Sequence, residues 1–170
     1  EVGRNLLSLI PDKEYGNGLD LGCGSGFFLS DLQQLCNYLL ALDISTGMLK
    51  QAKQQGKAMA YVGGDAEALP LRSGSVDLVF SSLALQWCID PVCAFKEIKR
   101  VLKTTGKCYL AVPNRWMLTE PHYQLKFLSW LPHSWRSSYL RFWGKGDFYD
   151  CEPFSLSGLE SLLKPVRKRE

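Results

Sequence analysis

Three glycines stand within five positions of the stretch LDLGCGSGFF, residues 19–28. Glycine has no Cβ and adopts positive φ readily, so Gly22, Gly24 and Gly26 allow a tight turn along which a ligand approaches the backbone. A dinucleotide fingerprint has the spacing G-x-G-x-x-G, whereas here Phe27 stands where its third glycine would fall. The loop therefore favours a ligand without a pyrophosphate over NAD.

Two aspartates stand where strands are predicted to end. Asp43 closes LLALD, where an acid can accept hydrogen bonds from both hydroxyls of a ribose or can cap the helix that begins near Ser45 or Thr46. Asp65, in GGDAEALPL, is placed either to accept a hydrogen bond from an exocyclic adenine amine or to serve as an ordinary turn aspartate. With the glycine loop, the two acids predict a pocket for an adenosine that carries something other than phosphates.

Alternating helices and strands over residues 1–113 must position these groups. Apolar residues recur at helical spacing in VGRNLLSLI, GFFLSDLQQL, TGMLKQAKQQG and PVCAFKEIKRVLK, whereas the predicted strands are NGLDLGCG, YLLALDI, MAYVGGDA, VDLVFSSL and, after a turn at TTG, KCYLAV. Strands that are apolar on both faces and separated by helices indicate a parallel sheet covered on both sides. The predicted fold class is α/β, a doubly wound, mainly parallel, Rossmann-like sheet with ligands at the carboxyl ends of its strands.

Residues 114–170 form a second compositional half, which we expect to belong to the same domain. The stretch 115–150 is crowded with Trp, Tyr and Phe, and SLSGLESLL predicts a helix capped by Ser155 or Ser157. The aromatic rings either form a lid over the site or pack on an edge of the sheet. The sequence leaves both arrangements open.

The composition excludes several classes of function. The chain has 170 residues and a formal net charge of +3 with scattered basic residues, so we expect no nucleic-acid surface. Its six cysteines lie far apart without a C-x-x-C pair, which indicates buried free thiols in a reducing cytoplasm and no metal site. No apolar run approaches the roughly 18 residues of a membrane span, so we expect no transmembrane segment and a cytoplasmic protein.

Five segments, in order, resemble the successive motifs of class I S-adenosylmethionine-dependent methyltransferases: LDLGCGSGFF, LALDIS…ML, GDAEALPL, VDLVFSSLALQW and EIKRVLKTTGKCYLAV. The resemblance covers about residues 5–113 and implies S-adenosyl-L-methionine as the cofactor. At the methionine end of the cofactor, the resemblance implies the backbone from Ser81 to Leu83 and Asp20 with the loop residues Gly22, Cys23, Gly24 and Gly26. It implies Asp43 at the ribose. At the adenine, it implies Ile44 and Met48 on the ring and Asp65 with Ala66 at the edge of the ring.

The acceptor side resembles two groups within this class. FSSLALQWC is similar to the malonyl-acyl-carrier-protein O-methyltransferase of biotin synthesis, which implies a malonyl carboxylate that is ionised at neutral pH and needs no base. VPNRWMLTEPH looks more like other small-molecule methyltransferases, which implies a small hydroxylated, aromatic or lipid-like acceptor with His122 as the candidate base. The predicted acceptor-side residues are Gln86, Trp87, Arg115, Trp116 and His122. Basic residues are placed either to steer an acidic carrier or to form a solvated face: Arg115, Lys126, Arg136, Arg141 and Lys145.

One feature departs from this resemblance. Methyltransferases of this class finish with a β-hairpin that adds two strands, whereas only KPVRKRE follows SLSGLESLL, so we expect the sheet to lack its last two strands and to expose an edge beside KCYLAV. A non-catalytic cofactor-binding or interaction module, with the aromatic segment as its interface, is the alternative of another class. A dinucleotide oxidoreductase is disfavoured by the glycine spacing.

Overall fold

The computed structural model describes residues 2–120, 123–149, 151 and 153–163. Its strands are β1 Tyr15–Leu21, β2 Cys36–Asp43, β3 Ala60–Gly63, β4 Val76–Ser82 and β5 Leu102–Ala111. They form one sheet in the order β3-β2-β1-β4-β5, and every neighbouring pair is parallel. Because the strand order reverses between β1 and β4, a crevice opens at their carboxyl ends. The predicted doubly wound α/β fold is confirmed.

Helices cover both faces of the sheet. They are α1 Val2–Leu7, α2 Leu29–Leu35, α3 Thr46–Gln55, α4 Pro91–Val101, α5 His133–Phe142 and α6 Leu156–Leu163, with 3₁₀ turns at Leu85–Trp87 and Leu128–Trp130. One apolar cluster joins residues of α1, α2 and α3 to Leu78 and Phe80, and a second joins α4 to Leu19, Leu21 and Val79. Burial of the central strands on both faces explains why they are apolar throughout.

Local signals determine several helix ends. Ser45 caps α3 by accepting a backbone hydrogen bond from its first turn at 3.3 Å, and the helix ends at Gly56 in the left-handed region at φ 63°. For α6, the sequence left Ser155 and Ser157 open as caps. The Oγ of Ser155 accepts a hydrogen bond from the Gly158 N–H at 3.0 Å, so Ser155 is the cap.

Three predicted boundaries are wrong. α1 ends at Leu7 rather than at residue 10, and α2 begins at residue 29 because the turns of the glycine loop continue to residue 28. The turn predicted at TTG lies inside β5 rather than before it. Val76 pairs with Leu102 and Leu78 pairs with Lys107, so residues 103–106 form a bulge in the ladder.

The edge of the sheet beside β5 is exposed, as the sequence predicts. In the described sheet β5 pairs with β4 alone, and most of its residues are only half-buried. Beyond the strand, Asn114 forms an isolated parallel bridge with Phe154, which links the second half of the chain to the end of β5.

Residues 114–163 build a small core of their own, formed by Leu125, Leu128, Leu140, Tyr149 and Cys151. The helix α5, which the sequence pattern did not predict, contributes the buried Arg136. This guanidinium donates hydrogen bonds to the carbonyl oxygens of Leu131 at 3.0 Å and Ser129 at 3.3 Å and lies 5.4 Å from the centre of the Tyr149 ring. The prediction that Arg136 steers an acidic carrier or stands on a solvated face is therefore wrong, because its charge is buried.

The cysteines and the helices bear on two further expectations. All six cysteines are free thiols, but Cys88, Cys93 and Cys108 are only partly buried, so the expectation of burial holds for the other three alone. In the described part of the chain, no helix is long and apolar enough to cross a membrane.

Candidate functional site

A cavity of about 450 Å³ opens at the carboxyl ends of β1 to β4. Its volume lies in the range of about 300–1,000 Å³ that is usual for small-molecule sites. Its lining residues come from the loops that follow the strands: Leu21, Gly22, Gly24, Leu42, Asp43, Ile44, Met48, Gly64, Asp65, Ala66, Glu67, Ser82, Leu83, Ala84, Trp87, Cys88 and Ile89. The set includes eight of the twelve residues predicted to bind a cofactor; Asp20, Cys23, Gly26 and Ser81 do not line it.

The glycine loop contributes bare backbone to the cavity wall. Gly22 has a φ of +72°, and a Cβ placed there would lie 2.2 Å from the Cβ of Ala84. Gly24 has a φ of +54° and open space beside it, so it needs glycine for its backbone conformation alone. At Gly26 a Cβ would lie 3.1 Å from the Cα of Ala52, so this glycine permits close packing of the loop against α3.

Asp43 holds the loops on either side of it. One carboxylate oxygen accepts a hydrogen bond from the Gly24 N–H at 2.8 Å, and the other accepts one from the Ser45 N–H at 2.8 Å. The alternative that Asp43 is the cap of α3 is wrong, because Ser45 is that cap. Each carboxylate oxygen has a further lone pair, so Asp43 retains acceptor capacity toward the cavity.

Asp65 and Glu67, in the loop that follows β3, also line the cavity. One oxygen of Asp65 accepts a hydrogen bond from the Glu67 N–H at 2.9 Å, so Asp65 is a turn aspartate that also lines the cavity. Glu67 accepts hydrogen bonds from the N–H groups of Ile89 at 2.5 Å and Asp90 at 3.0 Å. Sequence reasoning missed Glu67 because its partners lie more than twenty residues away; the GDAE motif is the only local signal.

Asp20 and Cys23 lie buried behind the cavity wall. Asp20 is 2% exposed, and its Oδ2 has no hydrogen-bond donor among the described residues. Burial, together with the nearby charge of Asp43, raises the pKa of Asp20 to about 7. Burial also raises the pKa of Cys23 to about 12, so this thiol stays protonated.

At the end of β4, the second and third of the residues predicted from Ser81 to Leu83 line the cavity, and the first does not. Ser81 is buried, whereas Ser82 and Leu83 line the cavity. Leu83 has a φ of +59°, an uncommon conformation for a non-glycine residue, and its N–H donates a hydrogen bond to the carbonyl of Ala111 at 2.8 Å. This left-handed turn at the end of β4 directs the chain along the cavity rim.

The predicted acceptor-side residues separate in the structure. Trp87 lines the cavity and is 48% exposed, whereas its neighbour Gln86 is buried in the 3₁₀ turn. Arg115 and Trp116 do not line the cavity, and Trp116 packs edge-on against Trp130 at 6.1 Å. His122 lies outside the described residues. Cys88 and Ile89, which sequence reasoning did not place in the site, complete the rim beside Trp87.

The described rings of residues 114–149 lie outside both the cavity lining and the apolar clusters on the sheet faces. The cavity lining ends at Ile89, and no ring from residues 114–149 belongs to the two apolar clusters. A lid is therefore wrong for these residues, whereas packing on the edge of the sheet stays a prediction. Most of these rings are exposed to solvent.

The fold and the cavity define a class: an α/β protein whose cofactor site lies where the order of a parallel sheet reverses. The family described as methyltransferase domain matches residues 19–110, which contain all the residues that line the cavity. The chain belongs to this family, and the predicted resemblance to class I methyltransferases is confirmed.

Relatives and solved structures agree with this assignment. The chain is 42% identical over 106 residues to the malonyl-[acyl-carrier protein] O-methyltransferase of Hamiltonella defensa, covering 62% of the chain and 41% of that protein. It is 36% identical over 151 residues to the protein of the same name from Alcanivorax borkumensis, covering 81% and 51%. It therefore spans about two fifths to one half of these relatives. An S-adenosylmethionine-dependent methyltransferase structure from Mesorhizobium loti matches 68% of the chain and 56% of its own, with a TM-score of 0.60 and 29% identity.

Proposed function

We propose that this chain binds S-adenosyl-L-methionine in the cavity and transfers its methyl group to a carboxylate oxygen, that of a malonyl group on acyl carrier protein. The observation that carries the proposal is the cavity wall, which combines bare glycine backbone and three carboxylates at strand ends with apolar side chains. The described lining residues include no His, Lys or Tyr side chain, and the carboxylates of Asp43, Asp65 and Glu67 each already accept a hydrogen bond from the loop backbone. An acceptor that is already ionised fits such a wall.

The residues present fit this cofactor. Asp43 keeps acceptor capacity for ribose hydroxyls, and Asp65 with the backbone of Ala66 offers an acceptor and a donor for an adenine edge. Ile44 and Met48, which are 73% and 43% exposed, supply apolar surface for the ring. The buried Oδ2 of Asp20 lacks a donor, and an ammonium group at the methionine end would supply one directly or through water.

The chemistry demands little from side chains. When bound, S-adenosyl-L-methionine supplies a methyl group made electrophilic by its sulfonium. The chain's own contribution is to position the acceptor and to exclude water. Trp87 and Ile89, the second of which donates its backbone N–H to Glu67, are the described side chains best placed to cover the reacting groups.

The acceptor assignment is supported by the relatives whose printed name is malonyl-[acyl-carrier protein] O-methyltransferase. The cavity lining, including the rim at residues 85–89, lies inside the family match. A second candidate is a small hydroxylated, aromatic or lipid-like acceptor. It is favoured by one observation: the rim of the cavity is apolar and exposed, with Trp87 at 48% and Ile89 at 97%.

Two measurements test the proposal in sequence. Calorimetric titration with S-adenosylhomocysteine, run beside NADH, should show micromolar binding of the first alone. Incubation with S-adenosyl-L-methionine and malonyl carrier protein should then add one methyl group to the carrier by intact mass. Acetyl carrier protein is the matched control, because it lacks the free carboxylate.

Each outcome has a separate meaning. Cofactor binding without methylation of malonyl carrier protein would overturn the acceptor and leave the cofactor site standing. Methylation of both carriers would place the methyl group on the protein rather than on the malonyl carboxylate. Binding of neither S-adenosylhomocysteine nor NADH would contradict the cofactor site itself.

A further inference from the structure

The second half of the chain exposes an unusual number of large rings. Within residues 114–149, the aromatic side chains that are between 45% and 81% exposed are Trp116, Phe127, Trp130, Trp135, Phe142, Trp143 and Phe148. Scattered single apolar residues are normal on a protein surface, whereas contiguous apolar patches mark sites of interaction. The decisive question is therefore whether these rings are contiguous.

Ring contacts gather five of these residues and Tyr139 into two groups, which one hydrogen bond connects. Trp130 packs edge-on against Trp116 at 6.1 Å and against Phe127 at 5.2 Å. On α5, Trp143 packs against Phe142 at 5.7 Å and Tyr139 at 6.3 Å. The Tyr139 hydroxyl donates a hydrogen bond to the carbonyl of Lys126 at 3.2 Å, which connects the two groups. We call Trp116, Phe127, Trp130, Tyr139, Phe142 and Trp143 the aromatic strip.

The helix α5 buries a cation and exposes two large rings. Its buried face carries Arg136 and Leu140, whereas Trp135 and Phe142, at helical spacing i and i+7, are exposed and Tyr139 is half-buried against the small core. Trp135 is 66% exposed and Phe142 is 81% exposed. A surface helix normally buries its apolar face, so this helix offers an apolar face to something outside the described fold.

The exposed charges in the sequence around the strip are mostly cationic. Among described residues 123–149, the exposed charged side chains are Lys126, Arg141, Lys145 and Asp147, three cationic and one anionic. Glu120, the nearest preceding acid, is 1% exposed. The surface is therefore complementary to a negatively charged partner.

We propose that the aromatic strip, with Trp135 and the cations at Lys126, Arg141 and Lys145, binds the surface of an anionic lipid membrane. Helices that lie in a membrane interface carry tryptophan and phenylalanine on the apolar face and lysine and arginine on the polar face. Their apolar bodies and polar tips suit the boundary between headgroups and acyl chains. Aromatic rings are enriched in protein interfaces as well, so a protein partner is the competing occupant that the experiments below exclude.

This binding is independent of the proposed methyl transfer. None of the strip residues lines the cavity, so occupation of the strip requires no cofactor and no acceptor. It would place the cavity near a membrane surface.

Sedimentation with vesicles tests the proposal directly. The 170-residue chain is mixed with vesicles of phosphatidylglycerol and phosphatidylcholine in equal parts, and separately with phosphatidylcholine alone. We expect binding to the anionic vesicles that weakens as salt is raised, because surface attraction is screened. Four of the five tryptophans lie in residues 116–143, so their emission should shift to shorter wavelength on binding.

Surface variants locate the binding site. Lys126→Gln with Lys145→Gln should weaken anionic-vesicle binding by about fivefold for each charge removed. Trp135→Ser with Phe142→Ser should weaken it by about tenfold or more, because two exposed rings no longer enter the interface. Leu9→Ser, at a side chain that is 67% exposed in the first half, is the matched control and should bind like the parent.

Three results would overturn the proposal. One is the absence of any preference for anionic over zwitterionic vesicles at low salt. Another is equal loss of binding in the Leu9→Ser control and the strip variants. The third is the absence of vesicle binding together with self-association, or with capture of malonyl carrier protein, that the strip variants abolish. Self-association would assign the strip to a second copy of the chain, and capture would assign it to the carrier protein.

Discussion

Around the cavity, acidic side chains hydrogen-bond to the loops, and apolar side chains form the core of the sheet behind those loops. Asp43 and Glu67 each accept two backbone hydrogen bonds, which hold the loops at the carboxyl ends of the strands. In residues 114–163 the arrangement is reversed, since Arg136 is buried and large rings such as Phe142 are exposed. The first region has polar groups left over to recognise a ligand. The second has used its strongest polar group internally and can recognise a partner mainly through apolar surface and peripheral charge.

Gly22→Ala should damage the cavity side of this comparison most. The added Cβ would overlap Ala84, and a non-glycine residue in the left-handed region costs about 1–2 kcal/mol in addition. We expect the affinity for S-adenosylhomocysteine to fall by roughly 100-fold, or about 3 kcal/mol. Gly24→Ala is the matched control, because nothing lies within 4 Å of its added Cβ, and it should cost about tenfold. Equal losses in the two variants would show that overlap with Ala84 is irrelevant.

Arg136→Met separates the two regions. It removes hydrogen bonds from a buried cation to two carbonyl oxygens, so we expect the free energy of unfolding to fall by about 2–3 kcal/mol. Denaturant unfolding measures the change, with the exposed Arg141→Met as the control that should unfold like the parent. The affinity for S-adenosylhomocysteine, determined on folded protein, should stay unchanged. A parallel loss of affinity would mean that the second region supports the cavity.

Asp43→Ala tests whether the carboxylate at the end of β2 binds the cofactor. We expect cofactor affinity to fall by about 1–3 kcal/mol, the scale of hydrogen bonds to a charged group. Asp43→Asn retains one acceptor oxygen and should lie between the parent and the alanine variant. Asp31→Ala, at an exposed acid on α2, is the calorimetric control. An affinity unchanged by either Asp43 variant would contradict the ribose assignment.

Asp20 should give the ligand-free chain a distinctive pH dependence. Its pKa in the folded state is raised to about 7, so between about pH 4 and 7 the folded state retains a proton that the unfolded state has lost. Stability from this group is therefore complete below about pH 4 and is lost as the pH rises through 7, at up to about 1.4 kcal/mol per pH unit. Thermal unfolding at several pH values measures the slope, which should be smaller in Asp20→Asn. An unchanged slope in that variant would assign the pH dependence to other groups.

Glu67→Gln should have the smallest effect. The amide oxygen can still accept a hydrogen bond from the rim, but the charge is lost, so we expect cofactor affinity to fall by about 1 kcal/mol, or fivefold. Glu14→Gln, at an exposed acid before β1, controls for the change in net charge. If Glu67→Gln binds S-adenosylhomocysteine with the parent's affinity, the hydrogen bonds from Ile89 and Asp90 to Glu67 do not position the rim.

The sequence predicted the first region far better than the second. Strands that are buried on both faces are apolar throughout, and glycine and aspartate at their ends are visible as short local patterns. Glu67 was missed because its hydrogen bonds close only after β4 and its following turn are in place. α5 was missed because Arg136 is buried beside Leu140 while Trp135 and Phe142 are exposed, so its burial does not follow the pattern that a surface helix normally shows.

By itself, the sequence determined the parallel α/β sheet, the glycine loop and the acids at the strand ends, because each depends on residue type and short-range spacing. Only the tertiary structure decided which of these groups meet at one cavity, that Asp20 and Arg136 are buried, and that the aromatic rings face outward. Burial and long-range pairing depend on how distant segments pack, and that information is spread over the whole chain rather than held in any one motif.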